Sequence, residues 1–111
     1  MAIHLIKDKV NPKQVEEMLA TLKTYIKLAV DVERKILAGG GELHADCEAV
    51  LLNDGSKQEN VWGANWLPSK KAVTFEAMLN ISSRRKNPFM EIQDPKIRQL
   101  VEKVVRERFE L

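Results

Sequence analysis

Short segments of alternating apolar and polar residues fill the middle of the chain, and they constrain the fold more than any other feature. The clearest alternation runs over 73–81 and is typical of a strand with one buried face. Residues 26–33 alternate in the same way, although their spacing would also continue a preceding helix to Leu37. Their β-branched residues favour the strand. The sequence therefore predicts a sheet at the centre of the fold.

Three further strands are predicted around these two. The chain opens with an apolar stretch over 3–6, and a turn at 33–35 returns it through 36–38. Another strand over 61–67 is ended by Pro68, because proline cannot donate a hydrogen bond to a sheet. Three consecutive glycines follow the strand at 36–38 and permit a bend or a bulge there.

Two helices are predicted from start signals that combine a capping residue with proline. An Asn-Pro pair at 11–12 precedes apolar residues at helical spacing, which predicts a helix over 12–23. An Asp-Pro pair at 94–95 introduces a closing helix over 95–110 in the same way. We therefore expect an α+β fold, with a small antiparallel or mixed sheet of four to five strands flanked by two or three helices.

Composition indicates an ordinary globular chain. Its 111 residues fit one domain, which we expect to span 1–111. The proportions of hydrophobic residues, 44%, and of charged residues, 31%, argue against wholesale disorder. No apolar run is long enough for a transmembrane helix, and we expect no membrane partner. The single cysteine, Cys47, excludes an internal disulfide framework and favours a cytoplasmic location. Because 18 basic residues stand against 16 acidic ones, nucleic-acid binding would require a local patch.

One polar cluster has the residue types for chemistry, and it lies in the segment 43–52. Whether this segment is a strand or a helix, His44 and Glu48 share one face. Asp46 joins them only in the strand. Alanine and leucine content favours the helix, which the turn residues Asn53-Asp54-Gly55 would end.

An imidazole and a carboxylate on one face suit a divalent metal or general acid–base work. The metal interpretation takes His44, Glu48 and Asp46 as ligands, and a divalent metal as the cofactor. Further ligand types available elsewhere in the chain are Asp31, Glu33 and His4. The plainer interpretation is a surface pair, which stabilises a helix by about a few tenths of a kcal/mol.

Two tryptophans in the strand 61–67 share one face, with Ala64 between them. Trp62 and Trp66 could stack a ring-shaped ligand, but large aromatic side chains more often belong to the core. Gly63 and Asn65 would then face the opposite side of the strand.

Two other features have a functional and a plain interpretation. Cys47 lies near His44 but is more simply a small buried thiol than a nucleophile. The basic residues Arg84-Arg85-Lys86, with Lys70 and Lys71, form a patch that could contact phosphates. A short basic run in a loop, here 82–93, is more often only solvated, so we regard nucleic acid as an unlikely partner.

A long string of residues resembles a family of small prokaryotic proteins of unknown function. The resemblance covers most of the chain and is densest over 30–81. It is carried by Gly40-Gly41-Glu42-Leu43-His44-Ala45-Asp46-Cys47-Glu48, Leu51-Leu52, Asp54-Gly55-Ser56, Gln58, Trp62-Gly63-Ala64-Asn65 and Asn80-Ile81. The resemblance implies no activity, but so many polar residues in its string favour a polar ligand pocket. Cys47 stands where such proteins are expected to carry alanine, which argues against a catalytic thiol.

Three functions follow as hypotheses. The first is a polar pocket formed by Glu42, His44, Glu48 and Asn65 that binds a divalent metal or a small polar ligand. The second is a non-enzymatic interaction module that forms a homo-oligomer through the two tryptophans and the closing helix. The third is an RNA-binding accessory protein that uses the basic residues at 84–86.

Overall fold

A computed structural model describes residues 3–76 and 94–110 of the chain. It contains five strands, β1 (His4–Ile6), β2 (Ile26–Asp31), β3 (Ile36–Gly39), β4 (Val61–Leu67) and β5 (Ala72–Glu76), and three helices, α1 (Pro12–Leu22), α2 (His44–Asn53) and α3 (Pro95–Phe109). These elements confirm the predicted α+β class. They also place the ambiguous segment 43–52 almost entirely in the helix α2, with Leu43 as the residue before it, and residues 26–31 in a strand.

The strands form one antiparallel sheet in the order β1-β3-β2-β4-β5. Two hairpins, β2–β3 and β4–β5, are joined where β2 pairs with β4, so β2 lies at the centre. The register places Lys27 opposite Asn65 at one end of that pairing and Asp31 opposite Val61 at the other. Because side chains alternate along a strand, this register decides which polar residues can meet.

Helices cover both faces of the sheet. Even-numbered residues of β2 and β4 pack against α1 and α3, and odd-numbered residues of the same strands face α2. The first core contains Met18, Leu28, Trp62, Trp66 and Val105 among others, and the second contains Ala29, Ala38, Cys47, Leu51 and Val61. The apolar residues of α1 and α3 are therefore buried against the same face of the sheet.

The two proline-containing start signals produce helices where they were predicted. The side chain of Asn11 accepts a hydrogen bond from the Gln14 amide at 2.8 Å, and the Gln14 side chain accepts one from the Asn11 amide at 3.0 Å. Asp94 accepts from the Lys96 amide at 2.8 Å at the start of α3.

A glycine in the left-handed region ends α2. Gly55 has φ +101°, its amide donates to the Leu52 carbonyl, and the Ser56 amide donates to the Leu51 carbonyl. These two bonds form a Schellman motif, which satisfies carbonyl groups at the end of a helix. Asn53-Asp54-Gly55 thus ends the helix as the sequence predicted.

The residues on either side of this glycine hold α2 to the turn between β2 and β3. Arg34 donates to Ser56 Oγ at 2.9 Å and to Asp54 Oδ2 at 2.8 Å. Lys7 lies 3.1 Å from the same Asp54 oxygen. These two cations lower the pKa of the Asp54 carboxyl, chiefly through the hydrogen bond from Arg34. The Asp-Gly-Ser part of the family string therefore has a structural role.

Two of the three consecutive glycines are explained by close packing and by backbone geometry. A Cβ at Gly39 would lie 2.6 Å from Leu28 Cδ2, and Gly40 has φ +104°. The chain can therefore turn sharply from β3 towards the start of α2.

Residues 77–81 of the strand predicted over 73–81, and the loop predicted over 82–93, lie outside the described residues. Among the residues that are described, no helix has the length and apolar character needed to cross a membrane.

Candidate functional site: a buried histidine held by strand β4

His44 is the first residue of α2, and its side chain is only 4% exposed. Its Nε2 atom lies 3.1 Å from the carbonyl oxygen of Ala64 and 3.2 Å from Oδ1 of Asn65. Asn65 reaches the ring because the odd-numbered residues of β4 face α2. The sequence predicted both residues as ligand-binding, and the fold brings them into contact.

Asn65 is itself held by a second hydrogen bond. Its Nδ2 donates to Thr74 Oγ1 at 3.0 Å, and its side chain is 4% exposed. Thr74 lies directly opposite Asn65 in the β4–β5 pairing and is exposed. We call His44, Asn65 and Thr74 the polar relay, because hydrogen bonds connect the exposed threonine to the buried ring through the asparagine.

The relay fixes which nitrogen of His44 carries the proton in the neutral ring. Within the described residues, the two groups that Nε2 contacts are oxygen acceptors, since the Asn65 amide nitrogen is already used towards Thr74. Nε2 is therefore the N–H donor, and Nδ1 carries the lone pair. Fixing one ring nitrogen in this way also fixes the orientation of the other, as in histidines that exchange protons with a substrate.

Lys27 adds positive charge beside the relay. It lies opposite Asn65 on the face covered by α2, and it is half-buried. Its carbonyl oxygen accepts a hydrogen bond from Cys47 Sγ at 3.5 Å. Within the described residues, no carboxylate forms an ion pair with the Lys27 ammonium.

Cys47 is buried between α2 and the sheet. Burial raises the pKa of its thiol from 9.0 to about 11, while a hydrogen bond involving Gly41 and the charge of Lys27 lower that pKa by less. A protonated, enclosed thiol is a poor nucleophile. The plain interpretation of Cys47 as a small buried side chain therefore agrees with its position.

The three predicted acidic residues lie at different places around His44. Glu48 is half-buried one helical turn later, and Glu42 is exposed just before the helix. Asp46 Oδ2 accepts a hydrogen bond from the Leu43 amide at 3.3 Å, which occupies that carboxylate at the start of α2. This agrees with the helical interpretation of the segment, in which Asp46 does not join His44 and Glu48 on one face.

Further ligands considered from the sequence lie elsewhere. Asp31 is four residues from Lys27 along β2, roughly 13 Å away, and its Oδ1 accepts from the Glu33 and Arg34 amides. Glu33 accepts from Asn60, and His4 lies 3.2 Å from Glu17. In the part of the chain that the structure describes, no three histidine, cysteine, aspartate or glutamate residues are grouped to hold a metal.

The two tryptophans belong to the core of the opposite face. Trp62 is 7% exposed and Trp66 is 3% exposed, and the apolar residues of α3 pack with them. Both indoles therefore belong largely to this core, whereas Leu100 on α3 is 42% exposed. The homo-oligomer expected through the tryptophans and the closing helix stays a prediction. Lys70 and Lys71 are exposed in the β4–β5 turn, and Arg84-Arg85-Lys86 lies outside the described residues.

Sequence reasoning missed Thr74 and Lys27. Both are defined by the register, because each lies directly opposite Asn65 on a neighbouring strand. The alternation over 26–33 and 73–81 indicated the strands, but alternation alone does not reveal which residues lie opposite each other.

Comparison with known proteins gives one family. A family model described as "Protein of unknown function (DUF5674)" matches residues 4–108. No curated protein and no solved structure matches the chain. Because the family model covers nearly the whole chain, the chain belongs to the DUF5674 family of proteins of unknown function.

Proposed function

We propose that this protein binds a small polar anion at the polar relay, with His44 as the group that exchanges a proton with it. The observation that carries the proposal is the fixed ring of His44, whose Nε2 lies between the Ala64 carbonyl and the Asn65 side chain. The Ala64 carbonyl can only accept a hydrogen bond, so it fixes the tautomer of the neutral ring, and Asn65, held in turn by Thr74, fixes the orientation of the ring.

Charge and hydrogen-bond capacity favour an anion with acceptor oxygens, such as a carboxylate. Thr74 Oγ1 accepts from Asn65, so its own hydrogen is available to a different acceptor. Lys27 supplies a positive charge on the same face. A carboxylate would satisfy both groups, because each of its oxygens accepts hydrogen bonds.

A thermal-melt panel on EDTA-treated protein tests this function. The panel contains acetate, lactate, malonate, succinate, citrate, phosphate and sulfate, and divalent cations form a separate arm. A ligand at about 100 times its dissociation constant stabilises the fold by about 2.7 kcal/mol. In a domain of this size that shifts the melting midpoint by about 10 °C.

Matched variants show whether a stabilising anion binds at the relay. We expect Thr74→Val and Lys27→Met to reduce the shift, and Lys13→Met, an exposed lysine on α1, to retain it. Thr74 is exposed, so its variant removes a donor without opening the core. A panel without any anion-dependent shift, or a shift equal in all three variants, contradicts the proposal. A shift with a divalent cation alone would replace the anion with a metal.

We also propose a cytoplasmic location, which the single buried cysteine supports. The expected readout is fractionation of the tagged protein with the cytosol, and recovery with membranes or the medium would contradict it.

A further inference from the structure

An open cleft lies on the face of the sheet opposite the polar relay. Its volume is about 570 Å³, within the range of small-molecule sites. It forms where the start of α1, the β4–β5 turn and the end of α3 meet, and its lining residues are Pro12, Val15, Trp66, Pro68, Lys71, Phe109 and Glu110.

The wall of the cleft is aromatic and apolar. The rings of Trp66 and Phe109 stack with centroids 5.5 Å apart and an interplanar angle of 30°. Val15 and two prolines complete this wall. The two rings are only 3% and 6% exposed, so they offer their accessible edges, and together with Val15 and the prolines they form an apolar surface that matches a small ring-shaped ligand body.

The rim of the cleft carries one ammonium group, that of Lys71, and one carboxylate, that of Glu110. Arg106 binds the Glu110 carboxylate and also donates to the Lys71 carbonyl oxygen at 3.1 Å. Hydrogen bonds with Glu102 and Glu110 raise the pKa of Arg106, so its charge is committed to these carboxylates. Within the described residues, no carboxylate pairs with the Lys71 ammonium.

We propose that this cleft binds a small aromatic anion, such as an arenecarboxylate, with its ring against Trp66 and Phe109 and its charge at Lys71. Arg106 is a positioning residue in this arrangement. It holds the turn that carries Lys71 and shares its single charge between Glu102 and Glu110, which weakens the repulsion between Glu110 and an anion. The site is separate from the polar relay, because Trp66 and Asn65 face opposite sides of β4.

The test uses three probes with the same ring and different charges, namely 2-naphthoate, 2-naphthylmethanol and 2-naphthylmethylammonium. The chain has two tryptophans, so a ¹H–¹⁵N spectrum shows two indole signals, assigned with a Trp62→Phe variant. We expect 2-naphthoate to shift the Trp66 signal and leave Trp62 in place, and the cationic probe to bind several-fold more weakly.

Two adjacent lysines provide the variant and its control. Lys71→Met removes the charge at the cleft, and Lys70→Met removes one from an exposed neighbour that does not line it. We expect about threefold weaker 2-naphthoate binding for Lys71→Met only, the scale of an exposed ion pair. The proposal is overturned by an unshifted Trp66 signal, by equal affinity for the ammonium probe, or by equal loss in both variants.

Discussion

The Nε2 atom of His44 lies 3.2 Å from Oδ1 of Asn65, although the two residues are 21 positions apart in the chain. This contact joins the start of α2 to β4 on the face where Lys27 also lies. A helix start is thereby attached to the sheet by a polar contact rather than by apolar packing. The contact has consequences for stability as well as for binding.

Replacing Asn65 with leucine should destabilise the fold by about 1 kcal/mol, because the buried His44 N–H keeps the Ala64 carbonyl but loses the Asn65 oxygen. Urea unfolding measures this change. Thr74→Val is the matched control, since it removes the acceptor of Asn65 Nδ2 at the exposed end of the relay but leaves the contact between Asn65 and His44, and it should have a smaller effect. Equal stability of Asn65→Leu and the wild type would show that the contact does not hold α2.

Leu51 and Leu52 provide an adjacent pair that tests how α2 packs. Leu51 is completely buried against the sheet, whereas Leu52 is 36% exposed. We expect Leu51→Ala to lower the free energy of unfolding by about 2–5 kcal/mol, and Leu52→Ala to lower it by much less. Denaturant unfolding of the two variants decides the point. A larger loss of unfolding free energy for Leu52→Ala than for Leu51→Ala would mean that α2 packs its other face against the sheet.

The Cys47 thiol should resist modification in the native protein. Burial raises its pKa from 9.0 to about 11, so the thiolate fraction near neutral pH falls by about 100-fold. Ellman's reagent should therefore react far more slowly with the native chain than with the urea-unfolded chain. Fast native reaction would contradict the enclosed position of the thiol.

The same raised pKa predicts alkaline sensitivity. The fold favours the protonated thiol, so its contribution to stability is complete below pH 9.0 and is lost as pH rises towards about 11. Unfolding midpoints of Cys47→Ala should decline less than those of the wild type across that range. If the unfolding midpoints of the two proteins declined equally, the Cys47 thiol would not contribute to the alkaline sensitivity.

Asp54 should stabilise the fold in the opposite pH direction. Arg34 and Lys7 lower its pKa below 3.8, so its contribution is present above that pH and is lost as pH falls through the lowered value. Asp54→Asn should be less stable than the wild type at about pH 7, and the difference in stability should shrink as the pH falls through the lowered pKa of Asp54. Asp8→Asn, at an exposed aspartate after β1, is the control. A stability difference between Asp54→Asn and the wild type that stays constant with pH would contradict the ion pairs of Asp54 with Arg34 and Lys7.

Much of the fold is encoded locally, which explains why it could be predicted. Asn11-Pro12 and Asp94-Pro95 determine where two helices start through contacts with their own first turns. Gly55 ends α2 through its own backbone geometry. The opposite orientation of Trp66 and Asn65 also follows from the alternation of a single strand.

The site could be predicted only in part, because it depends on contacts between distant segments. Helical spacing separated Asp46 from His44 in advance, and alternation placed Asn65 away from the tryptophans. Thr74 joins the site only through the β4–β5 register, and Asp31 is kept away from it by the β2–β4 register. No local pattern encodes either pairing.

The tautomer of His44 tests the central claim most directly. A long-range ¹H–¹⁵N correlation spectrum distinguishes a protonated Nε2 from a protonated Nδ1, and the chain has only one other histidine, His4, for comparison. We predict that neutral His44 is protonated at Nε2 and that Asn65→Leu weakens this preference. A neutral His44 protonated at Nδ1 would contradict the polar relay and the anion site proposed upon it.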